Sequence, residues 1–289
     1  MSETVGPVVC GYDGSQDARR AVAWAAAWAS DHGTTLEVIS ADRAVGRVVA
    51  FDETARSNVE GAMRDQLAEL TYDVSANFRV IADSPVGALV ETGRNASAIV
   101  VGSRGLTARE DFAMGSTSAG VVEHATCPVI VITPRTPEIS PGGPGDPADG
   151  PVVLAADGSA AGDPAAAFAF AEAQRRGTTL RVVHTVEVPR LPGASLFDLD
   201  RLAERVIAED EKQVLDAIAP HRERHPEVTV DLILVVGEPA TTIAKEAEGA
   251  ALLVTGSRGH GGFAGLLLGS VSRRLLQTAP CAVAVVRPT

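Results

Sequence analysis

The fold is decided by the stretch Ile99-Val100-Val101-Gly102-Ser103-Arg104-Gly105. It begins as an apolar run typical of a β-strand and breaks at Gly102. A loop follows as far as Gly115-Ser116, and the apolar pair Val121-Val122 then indicates a helix. Strand, glycine loop and helix start, in this order, direct backbone N–H groups at a phosphate. Glycine suits such a loop because it lets a ligand approach the main chain closely.

The second half of the chain repeats this pattern. An apolar run leads into Gly256-Ser257-Arg258-Gly259, and nine residues later comes Gly269-Ser270. Both copies therefore have the spacing Gly-x2-Gly-x9-Gly-Ser. One copy alone is weak evidence, since glycines at strand ends often form only turns. Two copies favour a phosphate-binding loop in each half.

A second repeated motif is an apolar strand segment that ends in Asp-Gly-Ser, at residues 13–15 and again at 157–159. In both halves strand segments alternate with helical segments, which predicts parallel sheets covered by helices. The predicted fold class is α/β, with two tandem doubly wound, Rossmann-like domains. Ligands bind such sheets at the carboxyl ends of strands where the strand order reverses. This places Asp13 and Asp157 beside the two glycine loops.

A stretch rich in proline and glycine separates the halves. It predicts a first domain at 1–135, a linker at 136–150 and a second domain at 151–289. The last strand segments, 129–132 and 283–286, are apolar and carry no charge. Because exposed edges of this kind invite aggregation, we expect the halves to pack as an intramolecular pseudo-dimer with these strands near the interface.

Composition excludes several classes of function. The 289 residues carry a formal charge of −12, which argues against a general binder of nucleic acid or of anionic membranes. No apolar run reaches the ~18 residues of a membrane span, and the N-terminus lacks a signal pattern. Three cysteines without metal-type spacing predict reduced, buried thiols in a cytoplasmic protein.

The sequence also lacks several motifs of nucleotide chemistry. There is no GxxxxGK followed by Ser or Thr, which disfavours a P-loop NTPase. GxGxxG does not follow the first strand, so an ordinary dinucleotide-binding fold is disfavoured as well. The scattered histidines form neither a zinc motif nor a triad motif. We therefore predict no catalytic residue and no metal ligand.

Three pairs of residues have two interpretations each at this stage. Asp13 and Asp157 cap their turns or contact a ligand, and their position at strand ends favours the ligand. Ser116 and Ser270 are plain helix N-caps, phosphate contacts, or both, because the two roles share one geometry. Arg104 and Arg258 either contribute a positive charge to a polyphosphate site or are simply solvated, and the sequence does not distinguish these two interpretations.

With these motifs assembled, the chain resembles a tandem universal stress protein of the adenine-nucleotide-binding branch. That family's signature, Gly-x2-Gly-x9-Gly followed by Ser or Thr, occurs in both halves, as does the aspartate that ends the first strand. The resemblance covers nearly the whole chain. It implies a five-stranded parallel sheet of order 3-2-1-4-5 in each domain, and pairing through the fifth strands, including as a homodimer.

The resemblance also implies a bound ATP, with Mg²⁺, in each half. Asp13 and Asp157 would contact the nucleoside, with the backbone at Gly11 and Ala155 close to the base. Ala41 and Thr185 would line the adenine pocket. The phosphates would be held by residues of the loops and helix starts: Gly102, Ser103, Arg104, Gly105, Gly115, Ser116 and Thr117 in the first half, and Gly256, Ser257, Arg258, Gly259, Gly269, Ser270 and Val271 in the second.

The first half departs from the family pattern at two places. It has Asp83-Ser84-Pro85 where the family prefers Gly-x-Pro, and its nine-residue loop carries Glu110 and Asp111. Two acidic side chains near a polyphosphate would repel it, so we expect weaker ATP binding in the first half than in the second.

The function expected from the sequence is that of a regulatory ATP-binding module in the stress response, with slow ATP hydrolysis at most. Two alternatives remain open. One is an ATP-hydrolysing or AMP-forming enzyme of related α/β fold. The other is a nucleotide-free dimeric scaffold.

Overall fold

The computed structural model describes residues 6–41, 53–68, 72–105, 114–139, 150–186, 196–259 and 268–288. The chain forms two compact units. The first contains the residues up to 149 together with 281–285, and the second contains 150–280 together with 286–288.

The first unit is an α/β sheet whose strands alternate with helices. Its order is β3-β2-β1-β4-β5, with all four pairings parallel, as predicted. The elements are β1 (Val8–Gly11), α1 (Gln16–Asp31), β2 (Leu36–Ala41), α2 (Glu53–Ala68), β3 (Ala76–Ile81), α3 (Pro85–Thr92), β4 (Ala98–Gly102), α4 (Ser116–His124) and β5 (Val129–Ile132), with a 3-10 turn at Gly93–Asn95.

The second unit repeats this chain path. Its strands have the order β9-β6-β7-β8 and pair in parallel where β6 meets β7 and β9, and where β7 meets β8. The elements are β6 (Val152–Ala155), a 3-10 turn (Ala160–Gly162), α5 (Asp163–Arg176), β7 (Leu180–Val186), α6 (Leu196–Arg224), β8 (Val230–Val236), α7 (Pro239–Glu246), β9 (Leu252–Gly256) and α8 (Ser270–Thr278).

The last strand, β10 (Ala282–Val286), corrects the prediction of two separate five-stranded parallel sheets. Residues 281–285 belong to the first unit, where Val283 to Val285 pair antiparallel with β5. Every residue of β5 and β10 is buried, so this pairing covers an apolar edge that would otherwise be exposed. The sequence places the two last strand segments near each other, because both are apolar edges, but it does not predict that they pair antiparallel within the first unit.

Local sequence explains the helices that frame the site. Ser15 caps α1, its hydroxyl accepting from Ala18 N at 3.1 Å, and Trp24 and Trp28 bury the inner face of that helix. Glycines follow α1 and α5 in the left-handed conformation, with φ of 59° at Gly33 and 60° at Gly177.

The predicted linker begins as packed chain. Thr136 is buried, and its hydroxyl accepts from Thr133 N at 3.0 Å. The Arg20 guanidinium donates to the carbonyls of both threonines, at 3.3 Å for Thr133. The chain is therefore held to the first unit through Thr136, and residues 140–149 of the predicted linker lie outside the described residues.

The searched part of the chain contains no helix with the length and hydropathy that a bilayer crossing requires.

Candidate functional site

The ends of the first glycine loop are fixed by a set of short hydrogen bonds. Ser103 N donates to Ile132 O at 3.0 Å, and Gly115 N donates back to Ser103 O at 2.7 Å. The buried Ser118 hydroxyl donates to Gly102 O at 2.6 Å. The loop therefore leaves β4 and enters α4 at a fixed place.

The second loop has the same frame, bond for bond. Ser257 N donates to Val286 O at 2.9 Å, and Gly269 N donates to Ser257 O at 2.8 Å. The buried Ser272 hydroxyl donates to Gly256 O at 2.7 Å. Sequence reasoning missed Ser118 and Ser272, although both halves carry a serine two positions after the motif serine.

Each predicted aspartate lies over the second glycine of its loop. A Cβ placed on Gly105 would lie 2.6 Å from Asp13 Oδ2, and one placed on Gly259 would lie 2.6 Å from Asp157 Oδ2. Each carboxylate also closes an Asx turn, accepting from Ser15 N or from Ser159 N at 3.0 Å. The capping role is therefore present in both units, and the carboxylates stand at the loops as the topology predicts.

The residues expected near the base lie at the carboxyl ends of neighbouring parallel strands. Gly11 and Ala155 end β1 and β6, and Ala41 ends β2. Thr185 is the residue before the last of β7. Since β1 and β4 adjoin, as do β6 and β9, these strand ends lie along the same edge as the loops. A side chain not foreseen here is His184, whose Nδ1 lies 2.8 Å from Ala156 O.

The plain N-cap interpretation of the motif serines is wrong. Ser116 and Ser270 are the first residues of their helices, and the N-caps are Gly115 and Gly269, which make no side-chain cap bond. The glycines occupy the N-cap positions because each donates its backbone N–H to the carbonyl of the serine at the start of its loop, Ser103 or Ser257. Both serines are exposed, whereas the following Thr117 and Val271 are half-buried.

Arg104 is half-buried and already paired with a carboxylate of the protein, which neither interpretation from the sequence included. Its Nε lies 3.3 Å from Asp17 Oδ2, and its backbone N donates to the same oxygen at 3.2 Å. The Ser103 hydroxyl donates to that oxygen as well, at 3.0 Å. Asp17 is only 7% exposed and was missed, because an acidic residue in the first turn of a helix is expected on dipole grounds alone.

Arg258 differs from Arg104. It is exposed and forms no ion pair with any residue that the structure describes. Its neighbour Ser257 is fully buried.

The helices that follow the third strands are capped by different residues in the two units. The Ser84 hydroxyl accepts from Gly87 N at 3.1 Å, so the departure from Gly-x-Pro still supplies a cap. In the second unit a Glu238 carboxylate oxygen accepts from Thr241 N at 2.8 Å. Hydrogen bonds from the Thr241 side chain and then from its backbone lower the Glu238 pKa. The loop residues Glu110 and Asp111 lie outside the described residues.

A cavity of about 690 Å³ lies beside Asp157 in the second unit, and sequence reasoning did not foresee it. The loop after β6, the start of α5 and the middle of α6 enclose it. Its apolar lining includes Leu154, Ala166, Val214 and Ile218, and Lys212 stands among the polar residues. A long apolar face on α6 is visible in the sequence, but its distance from α5 is not.

The cysteines are free and buried, as predicted. Burial raises the pKa of the Cys127 thiol to about 11 and that of Cys10 further still. In the searched ranges, no three His, Cys, Asp or Glu side chains come together as a metal-holding group.

Comparison with known proteins relates both units to one family. The sequence matches the family described as "Universal stress protein family" at residues 4–133 and again at residues 150–287.

Curated relatives match over almost the full chain. A universal stress protein of Mycobacterium tuberculosis is 34% identical over 97% of this chain and 96% of its own length. One from Mycolicibacterium smegmatis is 33% identical over 100% of this chain and 99% of its own. Among solved structures, a universal stress protein from Archaeoglobus fulgidus has the same fold, with a TM-score of 0.63 and 20% identity over 98% of this chain and 96% of its own.

Proposed function

The chain belongs to the universal stress protein family, and from that premise we propose that it is a regulatory module that binds ATP, with Mg²⁺, at the glycine loop of each unit. ATP occupancy would then bias the shape or the partners of the protein in the stress response. Its place of action in this proposal is the cytoplasm.

The observation that carries the proposal is the pairing of a carboxylate with a glycine loop in both units. Asp13 and Asp157 stand over Gly105 and Gly259, at loops whose two ends are held by matching hydrogen bonds. A carboxylate accepts hydrogen bonds from a ribose hydroxyl or an adenine amino group. A glycine loop at a helix start presents N–H groups to phosphates. A nucleoside phosphate needs both kinds of contact, side by side.

The parts of an adenine nucleotide map onto separate residues. The base would lie near the backbone of Gly11 or Ala155, against Ala41 or Thr185. The phosphates would take the loop N–H groups and the exposed hydroxyl of Ser116 or Ser270, at the starts of α4 and α8. The helix dipole favours negative charge at those starts, and Mg²⁺ would offset the charge of the polyphosphate.

We propose binding rather than turnover as the function, with hydrolysis slow at most. The described residues bring N–H donors, hydroxyls, an arginine and the Asp13 or Asp157 carboxylate to each loop. We assign that carboxylate to the nucleoside, where it accepts hydrogen bonds, so the proposal assigns no group to position or deprotonate an attacking water.

Substitution of Gly115 and Gly269 tests the proposal without breaking the loops. Among the described residues other than the chain neighbours, the nearest atom to a Cβ is 3.5 Å away at Gly115 and 3.6 Å away at Gly269, so valine should fit in the unliganded fold. Its branches would occupy the space of the phosphates. At Gly102 or Gly105, by contrast, a Cβ would collide with Asp17 or Asp13.

The readout is mass spectrometry of nucleotide released from the denatured, purified protein. We expect two ATP per chain in the natural protein, one in Gly115→Val or Gly269→Val, and none in the double variant. Gly61→Val in α2, where a Cβ meets nothing within 4 Å, is the matched control and should keep both. Unchanged ATP content in the double variant would overturn the site.

A further inference from the structure

The first glycine loop already binds an anionic group of the protein itself, the carboxylate of Asp17. One carboxylate oxygen of Asp17 accepts from the Ser103 hydroxyl at 3.0 Å, from Arg104 N at 3.2 Å and from Arg104 Nε at 3.3 Å. Asp17 is only 7% exposed, so its carboxylate interacts with groups of the protein rather than with solvent. The loop's own cation and two of its donors are therefore satisfied before any ligand arrives.

The second loop has the same donors but no such acceptor. Counting from the paired residues Asp13 and Asp157, the position of Asp17 is taken by Ala161. The structure agrees with this alignment. Asp17 packs against the Cβ position of Gly102, and the Ala161 carbonyl faces that of Gly256.

Because this acceptor is missing, a buried donor of the second loop lacks the hydrogen bond that its counterpart makes in the first. The Ser257 hydroxyl is fully buried and has no hydrogen-bond partner among the residues that the structure describes. Arg258 forms no ion pair within the described ranges. Buried hydroxyls are nearly always paired in native proteins, so an orphan beside an unneutralised arginine indicates that an acceptor is absent. The hydrogen bonds that hold the loop ends match in the two units, and the carboxylate at residue 17 is the acceptor that Ala161 does not supply.

We propose that Ser257 and Arg258 form an oxyanion subsite for a phosphoryl group, and that Asp17 occupies the equivalent subsite of the first loop. The residue at position 17 or 161 therefore determines whether the arginine of that loop is available to bind a phosphoryl group. The inference rests on the proposed function for the source of that group, the polyphosphate of a nucleotide. Free phosphate has the same chemistry and is treated as a separate arm of the test.

The turn before the helix lies farther from the loop glycine in the second unit, where the nearest atom to a Cβ on Gly256 is instead Arg258 O at 3.1 Å. Asp17 O would lie 2.8 Å from a Cβ on Gly102, whereas Ala161 O would lie 3.9 Å from a Cβ on Gly256. The 3-10 turn Ala160–Gly162 is thus set farther from its loop than the start of α1 is. Because Ser257 is fully buried, the proposal requires this turn to move outward before a phosphoryl oxygen contacts the Ser257 hydroxyl.

Electrostatics favour the second loop as well. In the first unit a phosphate would face the Asp17 carboxylate and an arginine already paired with it. In the second unit the arginine charge is not offset, and guanidinium groups bind phosphate oxygens strongly and with defined geometry.

The test places the missing carboxylate in the second loop. Ala161→Asp should supply Ser257 and Arg258 with an internal acceptor and so exclude the phosphoryl group. Ala160→Asp is the matched control, because it adds the same charge one residue away at an exposed position. The probes for calorimetry are ATP, inorganic tripolyphosphate, orthophosphate and adenosine.

We expect Ala161→Asp to weaken tripolyphosphate binding, and ATP binding at the tighter site, by at least tenfold. Adenosine binding and the Ala160→Asp control should change by less than twofold. Equal loss of adenosine and ATP binding would show a merely structural effect and overturn the inference. So would an unchanged affinity for tripolyphosphate in Ala161→Asp. Orthophosphate that binds as tightly as tripolyphosphate would identify free phosphate as the source.

The reciprocal variant, Asp17→Ala, should tighten tripolyphosphate binding at the first loop by freeing Arg104 and the Ser103 hydroxyl. Thermal unfolding with and without tripolyphosphate checks that the variant folds, and Asp17→Asn offers a neutral side chain of the same shape if it does not. No gain in either folded variant counts against the inference.

The inference and the proposed function fail separately. If the natural chain binds tripolyphosphate, loses it in Ala161→Asp and never binds ATP or adenosine, the proposed function is wrong and the subsite stands. If ATP binds two sites and Ala161→Asp leaves both unchanged, the proposed function stands and the subsite is wrong.

Discussion

At the scale of single residues, the site depends on glycines that leave room for a neighbouring polar group. Gly105 and Gly259 have no side chain because the carboxylates of Asp13 and Asp157 lie where a Cβ would be. The sequence predicts the glycines and the aspartates but not this contact, because each pair is separated by about ninety to a hundred residues. The errors of sequence-based prediction at single residues have the same cause, a long separation along the chain. The partner of Arg104 is Asp17, 87 positions away, and no local pattern joins them.

This contact leads to a prediction for Gly259→Ala. The new methyl group would lie 2.6 Å from Asp157 Oδ2, so the carboxylate must move. We expect the variant to lose about 1 kcal/mol of stability, as overpacked sites do, together with ATP binding in the second unit. Asp157→Ala loses the Asx turn to Ser159 by itself, but in that background the addition of Gly259→Ala should cost little further stability. Denaturant unfolding and ATP titration measure both, and an undiminished penalty of Gly259→Ala in the Asp157→Ala background would contradict the steric explanation.

The thiols give a second prediction at this scale. Burial raises the pKa of Cys127 to about 11, so at pH 8 only about one thiol in a thousand is ionised there. We expect negligible alkylation of the folded protein by iodoacetamide, and three labelled cysteines in denaturant. Rapid labelling of any one thiol in the folded chain, read by peptide mass spectrometry, would contradict this and show that the structure around that cysteine opens in solution.

At the scale of elements, the strands and helices that position the site follow from local pattern. Apolar runs give the strands, and Asp-Gly-Ser and Gly-x2-Gly give the turns. The starts of α4 and α8 do not follow, because Gly115 and Gly269 become the N-caps through hydrogen bonds to the loop carbonyls before them. Sequence rules rank serine above glycine at such a position, and here a longer-range bond decides.

Helix capping yields a pH-dependent prediction, because Ser84 and Glu238 cap equivalent helices and only one of them titrates. The Glu238 pKa is lowered in the folded state by the hydrogen bond from Thr241. Its stabilisation is therefore complete above the unfolded pKa, near 4.5, and is lost as pH falls through the lower folded value. We expect the penalty of Glu238→Ala to shrink below pH 4.5.

Ser84→Ala is the control for this prediction. It should cost about 1 kcal/mol at every pH, since a hydroxyl cap does not ionise. Denaturant unfolding between pH 7 and pH 3.5 measures both variants. A Glu238→Ala penalty that grows towards low pH would contradict the sign of the shift.

At the scale of the whole molecule, the tandem repeat, the strand order of the first unit and the meeting of the two last strands are evident from sequence. The sequence does not predict that β10, which ends the second half of the chain, pairs antiparallel with β5 in the first unit. Local apolar runs identify the strands and the apolar edges, but they do not give the direction in which two edges join.

We therefore predict that a fragment of residues 1–149 does not behave as an independent soluble domain. It would leave β5, with all four residues apolar and buried in the full chain, as an uncovered edge. Light scattering should show self-association of this fragment. A fragment that stays monomeric and as stable as the first unit of the full chain would mean that β10 is dispensable.

The central claim, that both glycine loops bind ATP and the second binds it more tightly, is tested most directly by calorimetric titration of nucleotide-free Gly115→Val and Gly269→Val. Each variant keeps one open loop. The account predicts one ATP per chain in each, with Gly115→Val binding at least tenfold more tightly, a difference of about 1.4 kcal/mol, because its remaining loop has Ala161 in place of Asp17. Two sites in either variant, no binding in both, or tighter binding in Gly269→Val would contradict it.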